Sequence, residues 1–386
     1  MEVIIFIILA IFKPFFLLIG LCRCKSIQKN KKLNKNSMDI CHQCIDKNTK
    51  RLQTGDELIW ASSKNYTDMW TRDVFFTIFQ HSKGSVVRVV QTLAKYQRED
   101  GLIPLYIGQG NACLKLFCNQ KPSGRVFAYY NDAKSGDEPT DSCFQFIIMA
   151  FECKLNVELR DHIVKAWEYG QRNRNNKLVH EFGLGTWQDT IKHHGNVLYT
   201  NVLFYQATQY LYPRLSETIK NSIIKHLWNG FFFKASTSND SFDQVGNALA
   251  ILYNIAPKPS KILEIREQYF QEQWPPPNKK IDLRKQTSRP GFEWYEIYLP
   301  CYPIGNAKYH NGWCWSWVDL LFLKISHGSI AKWSDKIQEY GSMYEVYDKH
   351  GSPIDVLLYQ SQPDFSEACG LYLNIIEENN NIELAL

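Results

Sequence analysis

The segment Gly185-Thr-Trp-Gln-Asp-Thr-Ile191 places one carboxyl group, Asp189, two residues after an indole, Trp187. An aromatic neighbour removes water from a carboxyl group, and the pKa of that group tends to rise. A carboxyl group that stays protonated near neutral pH can donate a proton to a leaving group. The indole face also suits the apolar face of a sugar ring. The alternative is structural, because an Asp ahead of an apolar run is a good helix N-cap.

Aromatic residues make up 14% of the 386 residues, and many lie beside polar residues, as in Trp70-Thr-Arg-Asp73 and Trp313-Cys-Trp-Ser-Trp317. This mixture suits carbohydrate, which offers apolar faces and polar hydroxyl rims, although an aromatic-rich helical core would have the same composition. The net charge is +5, and much of it comes from lysines just after the N-terminal apolar stretch. The rest is close to neutral, so we expect no nucleic-acid partner.

Residues 3–21 are almost wholly apolar, which is close to the roughly 20 residues that span a bilayer. The sequence therefore predicts a membrane anchor or signal segment at 1–22, a basic Lys/Asn-rich linker at 23–50 and a catalytic domain at 51–386. An anchor would make the protein membrane-associated, and the lysines after it favour a cytosolic domain. A cleaved segment would make it secreted. The eleven cysteines do not decide the compartment, and the sequence does not indicate an oligomeric state.

The domain is predicted to be all-α, because helical patterns recur in pairs between Gly, Pro and Asn turns, whereas alternating strand patterns are scarce. Paired helices without sequence repeats favour a toroid of inner and outer helices over a solenoid. The loops between the pairs, which hold the unusual residues, would then gather at one end of the barrel. The predicted helices are 73–82, 84–97, 141–153, 157–173, 196–212, 216–228, 243–253, 260–271, 313–325, 329–340 and 366–376.

Five stretches give the chain a family resemblance. They are Met69-Trp-Thr-Arg-Asp73, Gln97-Arg-Glu-Asp-Gly-Leu-Ile-Pro104, Thr186-Trp-Gln-Asp-Thr190 with Tyr199-Thr-Asn201, Tyr309-His-Asn-Gly312 with Trp315-Ser-Trp317, and Tyr344-Glu-Val-Tyr-Asp348 with the trailing 360–370 stretch. In this order they resemble the (α/α)6-toroid glycoside hydrolases of the six-hairpin glycosidase superfamily. The nearest groups are amylo-α-1,6-glucosidase-like enzymes, processing α-glucosidases and neutral invertases.

The resemblance implies an inverting glycosidase that acts on α-glucosides without a cofactor or metal ion. It assigns the general acid to Asp189 and the general base to Glu345, on loops about half the ring apart. An inverting pair is expected to lie about 6.5–9.5 Å apart, which leaves room for the attacking water. The alternative for Glu345 is a surface turn, and its rival as base is Glu367, where members of the family usually carry Trp. Glu293 and Glu296 are lesser rivals.

The other residues of these motifs are predicted to bind substrate. Arg72 and Asp73 would bind sugar hydroxyls, with a structural ion pair as the alternative. Trp70 and Trp315 would offer stacking faces, with core packing as an equal alternative. The predicted substrate-binding set is Trp70, Arg72, Asp73, Asp141, Trp187, Asn201, His310, Asn311, Trp315 and Glu367, of which Asp141 is also a good N-cap and Asn201 would hold the acid loop.

Two departures limit the substrate assignment. The form Thr186-Trp-Gln-Asp189 differs from the Trp-Met-Asp usual in debranching enzymes, and the accessory domains of those large proteins are absent. Glycogen debranching in particular is therefore not implied. The main competing hypothesis is a catalytically inactive carbohydrate-binding or scaffold protein that keeps the toroid. A terpene-cyclase-like toroid is disfavoured, because the sequence shows no acidic metal-binding cluster of the Asp-Asp-x-x-Asp type.

Overall fold

The computed structural model describes residues 36–64, 66–77, 83–108, 126–132, 136–189, 191–270, 310, 313–348, 350–356 and 359–385. Within these ranges the chain forms twelve helices. In chain order they are α1 (Ser37–Asn48), α2 (Thr71–Thr77), α3 (Lys83–Lys95), α4 (Asp141–Glu152), α5 (Arg160–Gly170), α6 (Leu198–Leu211), α7 (Pro213–Leu227), α8 (Gln244–Leu252), α9 (Pro259–Phe270), α10 (Ser316–Ser326), α11 (Ala331–Tyr340) and α12 (Ser366–Ala385).

The even-numbered helices form a closed inner ring. Each packs against the next even-numbered helix, and α12 packs against α2 to complete the circle. Burial agrees with this arrangement, since every residue from Asp141 to Ala150 of α4 is buried, as expected for a helix surrounded by other helices. The all-α (α/α)6 toroid predicted from the sequence is therefore confirmed.

The odd-numbered helices lie outside the ring, and most of them bury a single face. In α7 the buried residues are Ser216, Ile219, Ile223 and Leu227, at the spacing of three and four that marks one helix face. The helices α5 and α7 pack on α4 and α6, their immediate predecessors in the chain. The eleven helices predicted from apolar periodicity are all present, with most ends shifted by at most three residues. The last helix runs to Ala385, nine residues beyond its predicted end at 376. Residues 78–82 of the first lie outside the described ranges.

Helix α1 was not predicted, and it lies within the segment 23–50 that the sequence assigned to a linker. Its Asn36 cap accepts a hydrogen bond from the backbone N–H of Met38 at 3.2 Å, and it buries Ile40, Cys41, Cys44 and Ile45. The helix packs on α12 and α11, so the sixth helix pair joins the two ends of the described chain. The buried residues of α1 do show helical spacing in the sequence. The many Lys and Asn residues around them led to the prediction of a linker instead.

The long connections run from each outer helix to the next inner helix, and they contain all the strands of the described residues. Each strand has two to four residues, and all the pairs are antiparallel. They are β1 (Thr49–Arg51), β2 (Glu57–Ile59), β3 (Met69–Trp70), β4 (Tyr106–Gly108), β5 (Phe127–Tyr129), β6 (Arg174–Asn175), β7 (Leu178–Val179), β8 (Glu181–Gly183), β9 (His193–Gly195), β10 (Lys234–Ser236), β11 (Asn239–Phe242), β12 (Cys314–Trp315), β13 (Val346–Tyr347), β14 (Asp355–Val356) and β15 (Tyr359–Gln360).

These connections give the toroid two different ends. Polar contacts link the first turns of α2, α4 and α6, so the N-terminal ends of these inner helices lie together. The connections carrying the strands, and with them the sequence motifs, belong to this end. At the other end the connections are short, as between α6 and α7.

No helix within the described ranges combines the length and the apolar character needed to cross a membrane. The anchor or signal segment at 1–22 lies outside those ranges and stays a prediction. The described part of the linker begins at Asn36.

We predict that Asn48→Ala destabilises the domain by about 1–3 kcal/mol, because it leaves buried acceptors without their donor. The Asn48 amide donates to the backbone carbonyl of Asp364 at 2.7 Å and to Ser366 Oγ at 2.8 Å, across the α1–α12 junction. Urea unfolding would measure the loss. Asp46→Ala, on the exposed face of the same helix, is the control and should change stability by less than about 0.5 kcal/mol. Equal effects of the two substitutions would contradict the role of the junction.

Candidate active site

A buried ion pair joins the first turns of two inner helices. Arg72 Nε donates to Asp141 Oδ2 at 2.6 Å, and Nη2 donates to Asp141 Oδ1 at 3.3 Å. Nη2 also donates to the Gly185 carbonyl at 2.9 Å, which fixes the start of the loop that carries Asp189. Arg72 is thus paired with Asp141 rather than with its neighbour Asp73. Asp141 is fully buried in this pair, so its geometry favours positioning over the predicted contact with sugar.

The loop with Asp189 closes the β8–β9 hairpin, in which Glu181, Phe182 and Gly183 pair with Gly195, His194 and His193. Asp137 Oδ2 accepts a hydrogen bond from the Leu184 N–H at 2.9 Å and secures the start of the loop. The Asp189 side chain keeps 23% of its surface exposed, and its Oδ1 lies 3.9 Å from His310 Nε2. A partly exposed carboxyl group on an anchored loop is accessible to a ligand and restricted in position.

Four aromatic rings pack beside Asp189. His310 stacks on Trp315 with ring centroids 5.0 Å apart and planes 4° apart. Trp187 meets His310, Trp315 and Trp317 edge to face, with centroids 5.3, 5.9 and 5.2 Å apart. All four rings are largely buried. The structure therefore brings Trp187, His310 and Trp315 together as a packed wall rather than as freely exposed stacking faces.

The segment with Glu345 lies beside strand β12. The Ser316 N–H and Oγ both donate to the Glu345 carbonyl, at 3.1 and 3.0 Å. The Glu345 side chain, in a residue only 1% exposed, accepts a hydrogen bond at Oε2 from Tyr359 Oη at 2.7 Å. Tyr359 is itself stacked on Trp313, with centroids 5.1 Å apart. These contacts hold the Glu345 carboxyl group in one orientation.

Asp73 interacts electrostatically with both predicted catalytic carboxyl groups. Burial, then the charge of Glu345, raises the pKa of Asp73 to about 7, and Asp189 contributes in the same direction. The pKa of Glu367 is raised well above its usual range by burial first and then by Asp73 and Glu345. The structure thus groups Asp73, Asp189, Glu345 and Glu367 electrostatically, at the end where the motifs were expected to meet.

Trp70 lies at the edge of this group in an aromatic ladder on the β3–β4–β5 sheet. It stacks on Tyr106, which stacks on Tyr129, with centroids 4.5 Å apart in both pairs. The register places Trp70 opposite Tyr106 and Tyr106 opposite Tyr129, which explains the alignment. Trp70 is only half-buried, so part of it stays available to a ligand.

Asn201, predicted to hold the loop that carries Asp189, makes three side-chain hydrogen bonds to backbone groups. Its Oδ1 accepts from the Val179 N–H at 2.7 Å, and its Nδ2 donates to the Val179 and Val197 carbonyls at 2.9 and 2.8 Å. The residue is fully buried. It therefore holds strand β7 against α6 instead of contacting a ligand. Asn311, Glu293 and Glu296 lie outside the described residues.

Two residues that the sequence analysis missed support the site. Tyr359 donates a hydrogen bond to Glu345. Glu181 lies on β8, the strand that leads into the loop carrying Asp189, and its Oε1 accepts from Thr140 Oγ1 at 3.1 Å. Burial, then the nearby Asp141, raises the pKa of Glu181 to about 8. Tyr359 precedes the trailing stretch of the last motif and could have been suspected. A lone Glu on a short strand gives no such signal.

No family model and no curated protein matches the sequence. Solved structures do match. A rhamnosidase from Klebsiella oxytoca with rhamnose bound superimposes with a TM-score of 0.53 at 13% identity, over 91% of this chain and 66% of its own. A GH63 mannosylglycerate hydrolase from Thermus thermophilus in complex with glucose gives 0.55 at 12% identity, over 88% and 99%. A glycosidase variant in complex with glucose gives 0.57 at 14% identity, over 89% and 96%. These similarities establish a shared fold.

We predict that Arg72→Met lowers stability by about 3–5 kcal/mol, because it leaves the buried Asp141 carboxylate without its cation. The double variant Arg72→Met/Asp141→Leu should recover much of this loss, since apolar residues of similar volume often replace a buried ion pair without cost. Chemical denaturation of the two variants and wild type would measure the difference. A double variant no more stable than Arg72→Met would show that the Gly185 contact, and not the ion pair, dominates.

The raised pKa of Glu181 predicts a pH dependence of stability. The folded state keeps this proton up to about pH 8, whereas an unfolded Glu releases it near 4.5. The contribution is therefore fully present below about pH 4.5 and is lost as the pH rises through about 8. Glu181→Gln removes this loss, so the variant should gain at least about 1 kcal/mol relative to wild type between pH 5 and 8.5.

Urea unfolding at the two pH values would measure this change. Glu217→Gln, on the exposed face of α7, is the control and should keep the pH dependence of wild type. Parallel stability curves for Glu181→Gln and wild type would contradict the burial of a protonated Glu181.

Proposed function

We propose that this protein is an inverting glycoside hydrolase that cleaves α-glucosidic bonds in oligo- or polysaccharides. The observation that carries the proposal is the convergence of Asp189 and Glu345 on Asp73, beside an aromatic wall at one end of an (α/α)6 toroid. The two carboxyl groups belong to different connections of the ring, and both interact electrostatically with Asp73. The superimposed structures with this toroid include two that hold glucose and one that holds rhamnose.

Asp189 is suited to the role of general acid. Its side chain is partly exposed, so it can reach the glycosidic oxygen of a bound sugar. It lies beside His310, which packs edge to face on the indole of Trp187. A carboxyl group that keeps its proton can transfer it to the departing oxygen as the bond to the anomeric carbon breaks.

Glu345 is suited to the role of general base. The hydrogen bond donated by Tyr359 Oη stabilises the carboxylate form that a base requires. The other oxygen can then accept a proton from a water molecule that attacks the anomeric carbon. This attack comes from the face opposite the leaving group, so the product has the inverted configuration. Asp73 offers carboxylate oxygens to sugar hydroxyls, and Trp70 offers part of its ring.

We predict that the full-length protein releases the inverted anomer from at least one member of a panel of α- and β-linked gluco-, manno- and fructosides. Proton NMR during the first turnovers distinguishes the two anomers. Asp189→Asn and Glu345→Gln should each lower kcat by about 10²–10⁴-fold, the usual range for loss of a general acid or base. Glu217→Gln on α7 is the matched control and should leave kcat unchanged.

Each other outcome has a distinct meaning. Sugar binding without turnover by the folded protein would favour a catalytically inactive carbohydrate-binding scaffold. Turnover that survives Glu345→Gln but not Glu367→Gln would assign the base to Glu367. Release of the retained anomer would exclude the inverting mechanism.

A further inference from the structure

Three buried thiols meet between the first and the last helix of the described chain, and the mechanism above does not use them. Cys41 and Cys44 lie one turn apart on α1, and Cys369 lies at the end of the first turn of α12. All three are free thiols and at most 2% exposed. The Cys369 thiol is in hydrogen-bonding contact with the thiols of both Cys41 and Cys44. We call these three residues the thiol cluster.

Contacts on either side of the thiol cluster fix the register of the two helices. Asn48, one turn after Cys44, donates to Cys44 Sγ at 3.9 Å and to Ser366 Oγ at 2.8 Å. At the other end of α1, the hydroxyl oxygens of Ser37 and Tyr372 lie 2.7 Å apart. The two helices are therefore antiparallel, and the thiol cluster occupies the middle of their contact.

We propose that Cys44 and Cys369 form a disulfide under oxidising conditions, and that this bond fastens α1 to α12 and closes the helical ring covalently. Thiols in contact across two packed helices need little movement to bond, whereas cysteines with distant Cα atoms cannot be bridged without backbone movement. We assign the bond to Cys44 rather than Cys41 because Asn48 ties Cys44 to Ser366, one turn before Cys369. The inference is independent of the proposed hydrolase.

The oxidant is a small external disulfide such as oxidised glutathione. One protein thiolate attacks a sulfur of that disulfide and expels a small thiolate, which leaves a mixed disulfide on the protein. The second protein thiolate attacks the protein sulfur of this mixed disulfide and expels the other small thiolate. The two protein sulfurs are oxidised, the external disulfide is reduced to two thiols, and the two protein protons are taken up by those thiols.

Burial controls when this exchange takes place. It raises the pKa of Cys44, and it raises the pKa of Cys369 well above its usual range. The thiolate is the reactive form, so the packed thiol cluster reacts slowly. Exchange therefore takes place when α1 separates from α12, and the bond is shielded from reducing thiols once the helices pack again.

The test is incubation of the full-length protein with oxidised glutathione, followed by alkylation and mapping of disulfide-linked peptides by mass spectrometry. We expect a link between Cys44 and Cys369 in wild type. Because the link encloses nearly the whole domain, it should raise Tm by at least about 4 °C over that of the reduced protein. Cys44→Ala and Cys369→Ala should each lose this increase.

Cys143→Ala is the matched control, because Cys143 is also a fully buried cysteine on an inner helix. It should keep the link and the increase in Tm, and so should Cys41→Ala. Absence of the link in wild type, including after refolding from urea in the same redox buffer, overturns the inference. A link from Cys369 to Cys41 overturns the assignment to Cys44.

The rate of oxidation tests the proposed separation of the helices. Asn48→Ala weakens the α1–α12 junction, so it should form the link at least about threefold faster than wild type. Asp46→Ala, on the exposed face of α1, should form it at the wild-type rate. Equal rates for Asn48→Ala and wild type would overturn the dependence of exchange on helix separation.

Discussion

The buried pair of Arg72 and Asp141 is the interaction on which the geometry of the candidate site depends. It joins the first turns of α2 and α4, and its third hydrogen bond reaches Gly185 at the start of the acid loop. Two inner helices and the loop that carries Asp189 therefore share a single guanidinium. Within the described ranges its hydrogen bonds go to Asp141 and Gly185, and it interacts with Asp73 and Glu367 through charge alone.

Burial and neighbouring charges give the carboxyl groups of the candidate site different environments. Glu345 accepts a hydrogen bond from Tyr359. Burial, then the charges of Asp73 and Glu345, raises the pKa of Glu367 well above its usual range. The pKa of Asp73 is raised to about 7, again by burial first and then by Glu345. Acid and base chemistry in one site requires carboxyl groups whose environments shift their pKa values to different extents.

The ring that carries these groups is closed by the two ends of the described chain. Helix α1 lies against α12 as the outer partner of the last pair, and Asn48 bridges the junction to Ser366. Ser366 precedes Glu367, so the closing contact lies next to the acidic residues of the candidate site. All inner helices begin at the end that holds the long connections, where variation of loops changes the site without changing the ring. The contact that closes the ring and the candidate site therefore both involve the start of α12.

The sequence alone determined the helices, since apolar periodicity is a local property of the chain, and eleven of the twelve were visible in it. The order of motifs also located Asp189, Glu345 and Asp73. Which residues pair was decided only by tertiary structure, because it depends on contacts between segments far apart in sequence. Arg72 pairs with Asp141 rather than with adjacent Asp73, and Asn201 binds backbone. Helix α1 was missed because its apolar face packs on α12, at the far end of the chain, and a local pattern does not show such a contact.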